Sequence, residues 1–248
     1  MASERPGPGG GVGFPSTRHS IIERMRAGEH EVRRGAFGDV VAGYWKAIYT
    51  HLRLTWRLTP EDAKDATQGF FADAFEKRWL EQFAPERARF RTFVRMCADR
   101  YVQNRRQAEG RLKRGGGTAT VPLDFDGAER ATVALLASPL PDPDALFHQE
   151  FIRALFERTV EDVRSEYAAR GKSSAFDLFE RYDLAPADGV SYASLAREHH
   201  LTPAKVTNTL AQVRRRFRER ALDSLRGLCG SDEEFRRDAR EIFGVDVA

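Results

Sequence analysis

The side chains that could carry chemistry in this chain are few and unevenly placed. Four carboxylates, Glu61, Asp62, Asp65 and Asp73, fall close together. Such a group could hold a divalent cation or divide acid and base roles between two carboxyls. No His or Cys accompanies them at ligand spacing, and Asp62 with Asp65 at i, i+3 is what any acidic helix face carries. His199 and His200 read as a turn feature rather than a metal pair. Cys97 and Cys229 lie far apart with no Cys-x-x-Cys or Cys/His spacing, so neither a disulfide scaffold nor a zinc site is expected. "GPGGGVG" lacks the Lys-Ser/Thr and the strand of a phosphate loop. The sequence therefore predicts no catalytic residue, no metal and no cofactor.

What remains is charge. The net charge is only +3, but it is segregated. From Pro85 to Arg114 ten bases stand against three acids, a net of +7; from Pro203 to Arg220 six stand against one, a net of +5. Between Thr118 and Glu150 the balance is −5. Lys and Arg neutralise phosphates and release counterions, so two basic strips in a chain of 248 residues point to a polyanion partner. The competing reading is a pair of solvated helix faces.

The elements that must position these charges are helical. Ala, Arg, Glu and Leu outweigh β-branched residues, and apolar side chains recur at three/four spacing. Ser20 is placed to cap a helix carrying Ile21, Ile22 and Met25. Phe37 to Leu52 forms a longer stripe. Thr59 and Pro60 open the acidic helix as N-cap and first helical residue. A long helix runs towards Gly115 with Phe90, Phe93, Val94, Cys97, Tyr101 and Val102 facing inward, so Phe90 and Phe93 read as core residues, with stacking on unpaired bases as the competing reading. Gly115 to Pro143 loses periodicity and reads as a linker. A second helical block starts near Asp144, and Ser231 with Glu234 forms a capping box near the end.

The tightest local pattern is "LAREHHLTPAKVTNTLAQVRRRFRER", from Leu195 to Arg220. Leu195 and Ala196 make an interior pair, with Leu201 apolar in the turn. Thr202 caps the next helix and Pro203 opens it. Val206, Leu210, Val213 and Phe217 form one inward stripe. Lys205, Thr207, Asn208 and Gln212 are left facing outward, where a recognition helix reaches base edges. His200 stands where such turns usually hold Gly, and His can enter the left-handed region at some cost. An ordinary helical hairpin is the alternative.

Taken together, these segments resemble the extracytoplasmic-function (ECF) sigma factors of bacterial RNA polymerase. "PEDAKDATQGFFADAFEK" is similar to the acidic helix that binds the β′ clamp helices. "FRTFVRMCADRYVQNRR" is similar to the helix that melts and reads the minus-ten element. "YASLAREHHLTPAKVTNTLAQVRRRFRER" is similar to the helix-turn-helix that reads the minus-thirty-five element. The likeness covers most of residues 20–228, loosely over the linker and 144–184. Gly69 stands where an acidic residue usually follows the Gln, and Arg100 where Asn is common.

The resemblance implies polymerase contacts at Glu61, Asp62, Asp65, Gln68 and Asp73. It implies DNA contacts at Phe90, Arg91, Phe93, Arg100, Asn104, Arg105 and Arg106, and again at Thr202, Lys205, Thr207, Asn208, Gln212, Arg214, Arg215 and Arg216. Expected partners are core RNA polymerase, through its β′ clamp helices and β flap, promoter DNA, and an anti-sigma factor. The expected architecture is all-α: two helical domains joined by an acidic linker, the C-terminal one containing a helix-turn-helix. Its divisions are a disordered segment at 1–18, a region 2-like domain at 19–114, a flexible linker at 115–143, a region 4-like domain at 144–229 and a helical tail at 230–248. The chain is expected to be a non-enzymatic, soluble, cytoplasmic protein without a membrane span or secretory signal. A helix-turn-helix regulator that never joins polymerase is the alternative.

Overall fold

The computed structural model describes residues 20–26, 29–109, 123–136, 139 and 141–247. The expected disordered segment 1–18 lies outside these, as do Arg111, Lys113 and Arg114 of the first basic strip. Every regular element among the described residues is helical: α1 (Ile21–Arg26), α2 (His30–Leu54), α3 (Pro60–Glu76), a 3₁₀ turn (Trp79–Gln82), α4 (Phe90–Glu109), α5 (Phe125–Leu135), α6 (Pro143–Ala169), α7 (Ser173–Phe179) running into a π turn (Glu180–Leu184), α8 (Tyr192–Glu198), α9 (Pro203–Arg226) and α10 (Asp232–Phe243). The fold is all-α. No helix among the described residues is long and apolar enough to cross a membrane.

Local chemistry accounts for the helix starts. Ser20 accepts the Glu23 N–H at 3.3 Å while the Glu23 carboxylate accepts the Ser20 N–H at 2.8 Å, a reciprocal box that opens α1. Thr59 accepts the Asp62 N–H at 3.2 Å at the start of α3. Asp142 receives the N–H groups of Asp144 and Ala145 before α6. The Ser231/Glu234 box is only half formed. Ser231 takes the Glu234 N–H at 3.2 Å, but the Glu234 carboxylate is engaged elsewhere.

Contacts group the described residues into two compact units that do not follow chain order. One comprises those of Met1–Ala42, Lys64–Leu123 and Arg226–Ala248, the other Gly43–Ala63 and Asp124–Leu225. The first unit buries Ile21, Ile22 and Met25 of α1, Val40 of α2, Phe70 and Phe71 of α3, and Phe90, Val94 and Val102 of α4. Its 3₁₀ turn is held from two helices. Arg26 donates to the carbonyls of Glu81 and Phe83, both at 2.8 Å, and Arg33 pairs with Glu81 at 2.6 Å.

The stretch read as a tail belongs to this unit. Leu228, Cys229, Phe235 and Ala239 are all buried. Gly230 lies against the Phe83 ring so closely that a Cβ there would overlap it.

In the second unit, Tyr44 stacks on Phe151 at 5.1 Å and Trp45 meets Phe125 edge-on at 5.3 Å. The stretch 115–143 is not wholly linker, because α5 lies inside it. Phe125, Ala128 and Thr132 give α5 one buried face. Glu129 pairs with Arg53 at 2.6 Å and Thr132 meets Thr50 at 3.0 Å. Three inward residues bordered by Asp, Gly and Pro were too short a stripe to stand out in the sequence. A further cluster joins Val163 and Tyr167 of α6, Phe176, Leu178 and Phe179 of α7, Leu195 and Ala196 of α8, and Val206, Leu210 and Val213 of α9.

Candidate nucleic-acid interface

The acidic helix α3 presents its predicted set on one side. At about 100° per residue, Glu61, Asp62, Asp65, Gln68 and Asp73 fall within roughly 140° of arc, and Ala63, Ala66, Phe70 and Ala74 fill the opposite, buried side. Glu61, Asp62 and Asp65 are exposed and Gln68 is half-buried. Carboxylates in a first turn also favour the positive helix end, so part of their role is structural. Asp62 accepts the Thr59 hydroxyl at 2.8 Å, and half-buried Asp73 pairs with Lys77 at 2.7 Å. Glu61 and Asp65, at i, i+4, make up the rest of the acidic face. Gly69, on the same helix, has a packing reason: a Cβ there would overlap the Tyr101 hydroxyl.

Helix α4 divides its predicted DNA residues. Phe90 is fully buried, and Arg91 is 6% exposed, so neither faces solvent. The Glu234 carboxylate accepts the Phe90 N–H at 2.8 Å and the Gly230 N–H at 2.9 Å, which anchors the first turn of α4 to the start of α10. Arg91 donates to Asp238, whose other oxygen lies 3.2 Å from Arg89. Burial pushes the Glu234 carboxyl up to about 7, against the pull of those two amides. Phe90 and Arg91 are thus corrected from DNA contacts to interior residues. Both follow from the α4 periodicity, but their partners lie far along the chain, where no local pattern shows them. Phe93 is half-buried and packs on the Phe83 ring at 5.5 Å, and Arg105 is half-buried with a side-chain bond to Tyr101. Arg100, Asn104 and Arg106 are exposed. Met96, Arg100, Gln103, Asn104 and Gln107 together span about 100° of exposed arc, a continuous mainly polar stripe.

The node beneath α4 holds the one group of Cys, His and carboxylates among the described residues that could gather on a metal: Cys229, Glu234 and Asp238, with ligand atoms within 4.8 Å. Its chemistry favours an ionic joint. Asp238 faces Arg89 and Arg91, Glu234 accepts two amides, and burial holds the Cys229 thiol well above its ordinary value. The Cys97 thiol is pushed up to about 11 by burial, so it is protonated at neutral pH.

The α8–α9 segment follows its predicted local chemistry closely. Ser191 and Ser194 cap α8 reciprocally. His200 adopts φ 53, the left-handed turn conformation that its place in the sequence demands. Thr202 accepts the Lys205 N–H at 3.2 Å and Pro203 opens α9. Val206, Leu210 and Val213 are completely buried, whereas Thr202, Lys205, Thr207, Asn208 and Gln212 are exposed. Thr207 donates its hydroxyl to the Pro203 carbonyl at 3.0 Å, which leaves that oxygen only its acceptor capacity.

The arginine block does not act as one. Neighbours on a helix lie about 100° apart, so Arg214 and Arg216 flank Arg215 on opposite sides. The Arg215 side chain is 79% exposed. Arg214 forks onto Asp183 at 2.8–3.2 Å and donates to the Tyr192 hydroxyl at 3.3 Å. Arg216 forks onto Glu166 at 2.8–3.0 Å, and Arg220 joins it at 3.0 Å.

No protein-family model, no curated protein and no solved structure matches this chain.

Proposed function

We propose that this chain is a sigma factor: it binds core RNA polymerase and directs initiation at specific promoters, reading duplex DNA with α9 and melted DNA with the exposed stripe of α4. The observation that carries the reading is the α8–α9 segment. Its left-handed turn, capped second helix and fully buried apolar stripe leave Lys205, Thr207, Asn208 and Gln212 on an exposed face. Amide and ammonium side chains near a helix start suit base edges in a major groove. Exposed Arg100 and Asn104 on α4 offer charge and an amide to unpaired bases. The acidic face of α3 is complementary to a basic helix, as docking on polymerase requires. The roles expected of Phe90 and Arg91 are not carried into this proposal.

Binding of the full chain to core RNA polymerase tests the reading. Wild type should bind, and Glu61→Lys with Asp65→Lys should weaken binding at least tenfold, about 1.4 kcal/mol, while circular dichroism stays unchanged. These two positions leave the Thr59–Asp62 cap intact. A folded double variant that binds as wild type does would remove α3 as the docking face. Absence of polymerase binding by wild type, with sequence-selective duplex binding retained, would leave a DNA-binding regulator.

A further inference from the structure

Three of the four arginines at positions 214, 215, 216 and 220 are already engaged within the second unit. Asp183 sits in the π turn after α7, where the Ala185 N–H bonds back to the Glu180 carbonyl at 2.8 Å. That widened turn carries Asp183 to Arg214, which meets it with two guanidinium nitrogens, Nε and Nη2. Tyr182 lies beneath, 5.6 Å from the guanidinium, and packs on Tyr192 at 4.7 Å. Glu166 on α6 is 10% exposed and receives Arg216 and Arg220, with Arg170 at 2.9 Å. A forked guanidinium–carboxylate pair uses the same N–H groups that would grip a phosphate.

We propose that Asp183 and Glu166 are specificity-determining residues of the duplex-reading site, which withhold Arg214, Arg216 and Arg220 from DNA phosphate. The proposal rests on the reading of α9 as a DNA-facing helix. Phosphate contacts add affinity without regard to sequence and make it fall steeply with salt. Holding back three guanidinium groups lowers that indiscriminate share, and binding then depends more on Lys205, Asn208 and Gln212. Arg215 and Arg218 remain exposed, with Glu219 no nearer to Arg215 than 3.8 Å. Glu166 keeps its charge near neutral pH. The hydrogen bond from Arg216, followed by that from Arg220, holds the Glu166 carboxyl at about 2, far below physiological pH.

The test uses the full chain and two probes: a random-sequence duplex, and a duplex recovered from a random pool by binding to wild type. Affinity is measured from about 50 to 300 mM salt. Each released arginine that finds a phosphate should steepen the log–log slope by about 0.9. Asp183→Asn should therefore steepen it by about 0.9, and Glu166→Gln by about 0.9 through Arg220, because Glu219 still holds Arg216 at 3.2 Å. Both should lower the ratio of selected to random affinity. Arg214→Ala should leave the wild-type slope unchanged yet cancel the steepening caused by Asp183→Asn. That cancellation separates released phosphate contact from a change in net charge or packing. The two carboxylates lie on separate elements, so unfolding of one variant leaves the other to decide. Slopes equal to wild type in a folded Asp183→Asn or Glu166→Gln that still binds the selected duplex would overturn the proposal alone. Failure of every variant and of wild type to bind any duplex would overturn the reading of α9 as well.

Discussion

Tyr101 of α4 rests its hydroxyl where residue 69 of α3 would carry a Cβ, and residue 69 is glycine. The two helices are brought together there by an absent side chain. Phe70 and Trp79 complete the setting, with ring centroids 6.0 and 6.1 Å from Tyr101. An acidic residue at position 69 would collide with this phenol, which explains why the acidic face of α3 is interrupted.

Gly69→Ala should accordingly destabilise the protein by about 1–3 kcal/mol through overpacking, despite the better helix propensity of alanine. Tyr101→Phe removes the overlapping oxygen, so Gly69→Ala should cost less in that background. Urea unfolding of the two single variants and the double variant measures the coupling. Additive effects would show that α3 and α4 are not held by this contact.

Glu234 gives a pH dependence with a definite sign. Its carboxyl is raised from 4.5 to about 7 in the fold, so the unfolded chain ionises first as pH rises. Stability is therefore greatest below about pH 5 from this group and is lost as pH rises through about 7, by on the order of 3 kcal/mol. Burial raises Glu150 as well and adds in the same direction. Glu166 is lowered, and its contribution is lost only as pH falls towards 2. Urea unfolding from pH 5 to 8 should show the decline. Glu234→Gln should flatten it, whatever its effect on absolute stability. An unchanged slope in that variant would place the ionisation elsewhere.

On α9, two outward residues should fail differently. Asn208→Ala should cost about 1–3 kcal/mol on a selected duplex and relax preference at one or two base pairs. Arg215→Ala should weaken all duplexes alike and flatten the log–log salt slope by about 0.9. The measurement needs the full chain, because the second unit includes Gly43–Ala63 and the residues after Arg226 belong to the first. Loss of neither affinity, selectivity nor slope would make this face merely solvated.

Much of the fold was legible where short-range chemistry decides it. The caps at Ser20, Thr59 and Thr202, the inward stripe of α9 and the left-handed His200 all follow from residues within a few positions of one another. What escaped depends on distant partners. Arg91 reads as a basic surface residue until Asp238 closes over it; Phe90 reads as inward from the α4 stripe, but the Glu234 carboxylate on its amide has no local signal. The run Arg214–Arg216 looks like one charged patch in a line of letters. Helical geometry separates it, and carboxylates from α6 and the π turn take its two flanks. The closing helix, read as a tail, supplies interior residues to the unit that begins the chain.

Transcription in vitro decides whether this chain directs polymerase to promoters. Core RNA polymerase free of other sigma factors is given the full chain and fragmented genomic DNA of the source organism, and transcript 5′ ends are mapped. A sigma factor should give initiation at a limited set of sites sharing an upstream motif, abolished by Glu61→Lys with Asp65→Lys. Arg100→Ala and Asn104→Ala should still allow upstream duplex binding but reduce permanganate-reactive, melted thymines at those sites. Core polymerase that gains no site-specific initiation from the folded chain would rule out the sigma reading.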